Sequence, residues 1–191
     1  MAKNPERRTA LTDAAIEVLA HEGARGLTFR AVDARAGVPV GTSSNYFGNR
    51  DDLFMQAGAR INSRMTPDPA KVERAMRPEP SRELVADLMR WLVQRMAEDR
   101  TGYLAMLELR LEATRRPALR AQLTRTVRTA FDESADFHRN AELPGDNDVF
   151  LVLYLAMTGV LLEHFTLPDM LADTALDQLV ETVVTRIVPT R

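Results

Sequence analysis

The chain has 191 residues, of which 45% are hydrophobic and 27% are charged, a balance typical of a soluble globular protein of one or two domains. It contains no cysteine, which excludes disulfides, thiolate zinc sites and cysteine nucleophiles and agrees with a cytoplasmic location. The net charge of −2 divides unevenly, because residues 1–50 hold 7 basic and 5 acidic residues whereas residues 51–191 hold 18 and 22. The basic excess near the N-terminus favours contact with phosphate groups there.

The first predicted helix runs from about Pro5 to Glu22 and ends at Gly23, which suits a left-handed helix terminus. The segment before it, MAKNPERRT, is basic but lacks an apolar stretch, so we expect no secretory signal. Four apolar residues at helical spacing define the buried face of this helix: Leu11, Ala15, Val18 and Leu19.

Two short helices are predicted on either side of Gly37. Thr28 is placed to cap the first of them, and Pro39 begins the second, which is expected to end at Asn45 or Tyr46. Glycine permits the turn between them. This arrangement is a helix-turn-helix, a motif that places its second helix in the major groove of DNA.

Prolines break the sequence after a fourth predicted helix, which Asn49 caps and whose apolar face is Leu53, Phe54, Ala57 and Ile61. We therefore predict an all-α fold of about nine helices, with a three-helix helix-turn-helix head at residues 1–50 and a helical body at residues 51–191. A further short helix is possible near Lys71–Arg77, and five longer helices are predicted to begin near Ser81, Thr101, Pro117, Asp148 and Thr174.

Neither a membrane span nor an active site is predicted. The most apolar run, Val149–Leu162, is shorter than the roughly 20 residues that cross a bilayer, and we expect it to be a helix buried on several sides. The three histidines are scattered, and HExxH, P-loop and GxSxG motifs do not occur. We therefore expect no metal, no cofactor and no enzymatic activity.

A pattern of residues at fixed spacing runs through the helix-turn-helix region: Thr28–Val32, Ala36–Val38, Gly41, Tyr46–Phe47, Asn49–Arg50 and Leu53. With this pattern, roughly residues 8–55 resemble the tetracycline-repressor (TetR) family of transcriptional regulators. Two positions depart from the family pattern, because Ser43 stands where an apolar residue is usual and Ser44 where a tyrosine is usual. The serine at position 43 is expected to weaken the packing of the recognition helix.

Side-chain chemistry suggests how this region would bind DNA. Asn45 can pair with adenine, and its alternative role is to cap the end of the helix. Arg30 suits a phosphate contact, or it is a solvated charge paired with Asp33. Lys3, Arg7 and Arg8 are expected to form an N-terminal arm, or else a disordered tail. The full predicted DNA-binding set is Thr28, Arg30, Pro39, Val40, Gly41, Thr42, Ser44, Asn45, Tyr46 and Arg50.

One short recognition helix covers only a few base pairs, so we expect a symmetric homodimer on a palindromic operator in double-stranded DNA. The resemblance implies that the last two long helices form the interface. The alternative is that their apolar residues are buried within one chain. The predicted interface residues are Val152, Leu153, Met157, Val160, Leu179 and Val183.

The body also contains apolar and amphipathic side chains that could line a pocket for a small effector, although such residues are commonly plain core. The tentative pocket set is Met89, Leu92, Met96, Tyr103, Met106, Leu107, Arg110, Phe131 and Tyr154.

The resulting hypothesis is a DNA-binding transcriptional regulator, and specifically a repressor that a small molecule releases from its operator. An activator or a ligand-independent repressor remains open. The rival hypothesis is a helical small-molecule-binding or adaptor protein without sequence-specific DNA binding.

Overall fold

The computed structural model describes residues 4–190, which form α-helices and 3₁₀ turns without any β-strand, so the all-α prediction is confirmed. The short helix considered near Lys71–Arg77 is present, at Pro69–Ala75. The helices are α1 (Pro5–Gly26), α2 (Phe29–Arg35), α3 (Arg50–Met65), α4 (Pro69–Ala75), α5 (Arg82–Glu98), α6 (Arg100–Ala113), α7 (Pro117–Asn140), α8 (Asn147–Thr166) and α9 (Leu176–Ile187), with 3₁₀ turns at Ser43–Asn45 and Pro168–Leu171.

The contacts divide these helices into two compact units. Unit 1 contains residues 4–66 and 99–128, and unit 2 contains residues 67–98 and 129–190. The first boundary lies in the predicted proline-rich segment, since Pro67 opens unit 2. The division into functional domains at residue 50 stays a prediction, because the units describe packing rather than function.

In unit 1, α1 packs against α2, α3 and α6. The four residues predicted as the buried face of α1 are all 0% exposed, as are those predicted on α3. Helix α1 changes direction at Gly23, whose φ of 70° is open to glycine at low cost. Ala24 then donates its N–H to Glu108 Oε2 at 3.1 Å, which ties the end of α1 to α6. The result is one continuous apolar core beneath the helix-turn-helix.

In unit 2, α8 packs against α5 and α9. Its bounds agree with the predicted helix, and its 20 residues are long and apolar enough to cross a membrane by length and composition alone, which is weak evidence because core helices pass the same test. The expectation that it is buried on several sides was wrong, because one face is buried and the other faces solvent. The buried face consists of Leu153, Met157, Val160, Leu161 and Phe165.

Candidate nucleic-acid interface

The segment Pro39–Tyr46, here called the recognition turn, is not the α-helix that the sequence predicted. Residues 40–42 form a turn and only Ser43–Asn45 is helical, with 3₁₀ geometry. Thr42 N–H donates to Pro39 O at 3.1 Å and Asn45 N–H to Thr42 O at 3.0 Å, which are i→i+3 bonds. Gly41 has a φ of 92°, which is incompatible with an α-helix. The prediction failed because the Gly41 and Ser43 N–H groups donate to the carboxylate of Asp33 rather than to preceding backbone carbonyls, as an α-helix would require.

The recognition turn nevertheless presents the predicted side chains to solvent. Val40 is 79% exposed, and Ser44 and Asn45 are also exposed. Ser44 Oγ donates to Gly41 O at 2.7 Å and Asn45 Nδ2 donates to the same carbonyl at 3.1 Å. The capping role considered for Asn45 is therefore the one seen in the free protein, and its amide must turn outward to pair with a base.

Other predicted DNA-binding residues in and beside the turn have different environments in the structure. Thr28 caps α2 by accepting the Ala31 N–H at 3.1 Å, as predicted, and Arg30 is exposed on the outer side of α2. Thr42 is half-buried and donates its hydroxyl to Pro39 O at 2.6 Å. Tyr46 packs partly against the core of unit 1. Contact of these residues with DNA stays a prediction.

Arg50 has an internal role that the sequence did not predict. Its guanidinium donates to the carbonyls of Leu27, at 2.8 Å, and Ala24. It also lies over the ring of Phe54, 5.2 Å from the centroid. These bonds join the end of α1 to the start of α3 and compete with a phosphate for the same donors. The phosphate contact assigned to Arg50 stays a prediction, whereas the structure shows its guanidinium bonded within unit 1.

The predicted N-terminal arm does not exist at Arg7 and Arg8, since both residues lie in the first turn of α1. Asn4 caps this helix by accepting the Glu6 and Arg7 N–H groups. Arg8 donates to Gln56 Oε1 at 2.7 Å, whereas Arg7 is exposed. Lys3 lies outside the described residues. Of the arm, only Arg7 is therefore shown to be displayed at the surface.

Sequence reasoning missed the role of Asp33, which it considered only as a partner for Arg30. The side chain is 0% exposed and faces the recognition turn. Its carboxylate accepts the Gly41 N–H, the Ser43 N–H and the Ser43 hydroxyl. Ser43 is itself 0% exposed, so a buried polar pair holds the segment where apolar packing was expected. The sequence signal that could have revealed this role was Ser43, because a serine at a position expected to be buried needs a polar partner.

The predicted effector residues are distributed over both units. Tyr103, Met106, Leu107 and Arg110 lie on α6 in unit 1 and the others lie in unit 2. Within unit 2 the structure brings together Phe131 and Tyr154, with ring centroids 5.1 Å apart, and adds Phe150 at 5.3 Å from Phe131. We call these three rings the aromatic cluster. Met96 is 6% exposed and belongs to the interior, whereas Met89 and Leu92 are half-buried.

His138 lies beside the aromatic cluster, with its ring 5.4 Å from that of Phe150. It is 5% exposed, and Nε2 has no hydrogen-bond partner among the described residues. Burial disfavours the charged imidazolium and lowers the pKa of His138 below its ordinary value of 6.5, although backbone bonds at Pro144 and Gly145 oppose the shift. Burial therefore favours the neutral imidazole at His138 in the folded chain.

The buried neutral His138 predicts a loss of stability in acid. Below pH 6.5 the unfolded histidine takes up a proton that the folded one refuses, so the free energy of unfolding falls as the pH drops from 6.5 toward the lowered pKa. Urea unfolding of unit 2 between pH 7 and pH 5 measures this slope. His138→Gln should make it shallower, because glutamine does not titrate. An identical slope in the wild type and His138→Gln would contradict the prediction.

The dimer prediction needs a correction. Leu153, Met157 and Val160 are 3%, 2% and 9% exposed within a single chain, because they form the face of α8 that packs inside unit 2. The exposed apolar residues of α8 lie on its other face, where Gly159 leaves open space. Val152 is exposed, and Leu179 and Val183 are half-buried on α9, so the place of these three residues in an interface stays a prediction. The exposed apolar face of α8 consists of Leu151, Val152, Leu155 and Leu162.

Comparison with known proteins identifies the class. Residues 11–57 match the family described as "Bacterial regulatory proteins, tetR family", and residues 80–190 match "Tetracyclin repressor-like, C-terminal domain". The chain belongs to the tetR family. It is thus a DNA-binding transcriptional regulator, and the recognition turn lies inside the matched N-terminal segment.

Relatives of this tetR-family protein are similar along nearly the whole chain. It is 25% identical over 170 residues, 86% of each protein, to the nicotine-responsive transcriptional repressor HdnoR of Paenarthrobacter nicotinovorans. It is 31% identical to the multidrug binding protein EbrR, crystallised with imidazole, with 98% of both chains covered and a TM-score of 0.67. It is 32% identical to the TetR family member SCO1917 of Streptomyces coelicolor A3, with 97% and 100% covered and a TM-score of 0.69.

Proposed function

We propose that the protein is a repressor that binds a palindromic operator as a homodimer and leaves it when a small molecule binds. The observation that best supports this proposal is the recognition turn, which displays Val40, Ser44 and Asn45 to solvent on a segment fixed to the core of unit 1. Three side chains address only a few base pairs. Two copies on matched half-sites supply the missing affinity and specificity.

The apolar face of α8 defined above is the proposed dimer surface. The four large aliphatic residues of this face are between 40% and 58% exposed. Such an exposed apolar patch is costly for a helix that stays in water. Gly159 lies within this face and leaves room for a partner helix to approach closely. A two-fold axis through α8 would cover the face with its own copy.

For the effector we propose an aromatic molecule that binds at the aromatic cluster. Phe131 pairs edge to face with Tyr154 and in a tilted arrangement with Phe150, and an aromatic ligand can replace such contacts with its own. The relative EbrR has been crystallised with ethidium, proflavin and malachite green. The cytoplasm is the proposed location, and regulation rather than catalysis is the proposed activity.

Both parts of this proposal can be tested by using the purified protein to select bound fragments from genomic DNA. The proposal expects a palindrome upstream of a gene, here called the selected duplex, and release from this duplex on titration with malachite green. Fragments without two-fold symmetry would contradict the dimeric repressor. Unchanged binding at saturating malachite green would contradict an effector of this class.

Asn45→Ala tests the base contact. Loss of a bidentate pair with adenine should weaken binding to the selected duplex about 5- to 100-fold while leaving a scrambled duplex nearly unchanged. Fluorescence anisotropy with both duplexes at one salt concentration measures the ratio. Asn62→Ala, which removes the same side chain from α3 away from the turn, is the matched control. Equal weakening on both duplexes would show that Asn45 contacts only the backbone.

A further inference from the structure

A single buried residue makes four hydrogen bonds to the recognition turn and its approach. The backbone carbonyl of Asp33 accepts the Val38 N–H at 3.0 Å. One carboxylate oxygen accepts the Gly41 N–H at 2.7 Å, and the other accepts both the Ser43 N–H at 2.7 Å and the Ser43 hydroxyl at 2.5 Å. Both ends of the carboxylate are thereby committed to the same short segment.

Packing does little to hold the first half of this segment in place. Val40 is 79% exposed, and a Cβ placed on Gly41 would meet nothing within 4 Å. Gly41 also has a φ of 92°, a conformation that confers wide freedom unless other contacts remove it. The bonds to Asp33 join this backbone to a buried residue of α2, whereas its other bonds, such as Thr42 N–H to Pro39 O, stay within the turn.

Ser43 completes the arrangement from the other side. It is 0% exposed, and its N–H and hydroxyl are both satisfied by the same oxygen of Asp33. Without this carboxylate a buried N–H would lack a partner, which is costly, whereas the exposed Gly41 N–H would turn to water. The two residues therefore act as a unit, with Asp33 as the essential member.

We propose that Asp33 is a positioning residue for base recognition, whose carboxylate sets the shape of the recognition turn without touching DNA. This role differs from the phosphate and base contacts assigned to the exposed residues, because it acts from inside the protein. It also predicts that the amides of Gly41 and Ser43 are unavailable as phosphate donors, since Asp33 already occupies them.

Asp33→Asn provides the test in DNA binding, since it keeps the shape but places an NH₂ group against one of the N–H donors. Affinity for the selected duplex should fall at least about tenfold, while affinity for a scrambled duplex changes less than about twofold. Glu17→Gln removes the same charge from a side chain of α1 that is 39% exposed and is the matched control. Ser43→Ala keeps both backbone bonds and should lose less than Asp33→Asn. Equal loss on both duplexes, or no loss, would overturn the proposal.

A second measurement needs neither DNA nor a variant. The N–H of Gly41, an exposed residue, donates to Asp33 Oδ2, so protection of this amide from hydrogen exchange in the wild-type protein reports that bond. Amide exchange followed by NMR should show Gly41 protected together with Ser43. Exchange of Gly41 at the rate of an unstructured peptide would overturn the proposal, even if Asp33→Asn fails to fold.

Discussion

Leu155→Glu is expected to convert the protein to a monomer that no longer binds the selected duplex. Leu155 is 58% exposed at the centre of the apolar face of α8. A two-fold interface would bury each glutamate without a partner, and each hot-spot loss of about 2 kcal/mol counts twice, giving about 4 kcal/mol or roughly a thousandfold in the dimer dissociation constant. Sedimentation equilibrium measures the mass, and anisotropy with the selected duplex measures binding.

Leu111→Glu is the matched control for this experiment. Leu111 is 59% exposed, but it lies on α6 in unit 1. It should leave both the mass and the DNA affinity close to those of the wild type. A Leu155→Glu protein that remains dimeric would remove α8 as the proposed interface, and a monomer that still binds the selected duplex at full affinity would remove the need for two recognition turns.

Phe54→Ala is expected to have the largest effect on stability. Phe54 is 0% exposed in the core of unit 1, and the guanidinium groups of Arg50 and Arg116 lie 5.2 Å and 5.1 Å from its ring centroid. Truncation leaves a cavity and removes both cation–π contacts, with an expected loss of about 3–5 kcal/mol and a fall in Tm on the order of 10 °C. Calorimetry and urea unfolding measure the change.

Two further variants separate the causes of this loss. Phe54→Leu keeps most of the apolar volume but removes the ring beneath the two arginines, so its loss should be smaller than that of Phe54→Ala. Phe137→Ala removes the same side chain at a position that is 39% exposed and should cost much less. Equal losses for Phe54→Ala and Phe137→Ala would show that burial in unit 1 does not govern the effect.

The comparison of sequence with structure is clearest for α6. The apolar residues predicted on this helix as pocket lining, Tyr103, Met106 and Leu107, are half-buried, whereas the residues buried on it include Ala105 and Leu109. Small side chains let α6 approach α1 closely, and a helix that is apolar on two faces does not reveal which face meets its neighbour. The same ambiguity caused Leu153 and Met157 to be assigned to the dimer surface.

The sequence by itself determined the other helices, several of their caps and the exposed position of the recognition turn, although it predicted an α-helix there. These features depend on local signals, such as Asn49 accepting the Asp52 N–H and Gly37 with its φ of 64°, which need no distant partner. Only the tertiary structure decided that Asp33 bonds Gly41 and Ser43 and that Arg50 bonds the carbonyls ending α1. The Asp33 bonds join α2 to the recognition turn, and the Arg50 bonds join α3 to the end of α1. Both sets form only once the core of unit 1 has brought these elements together.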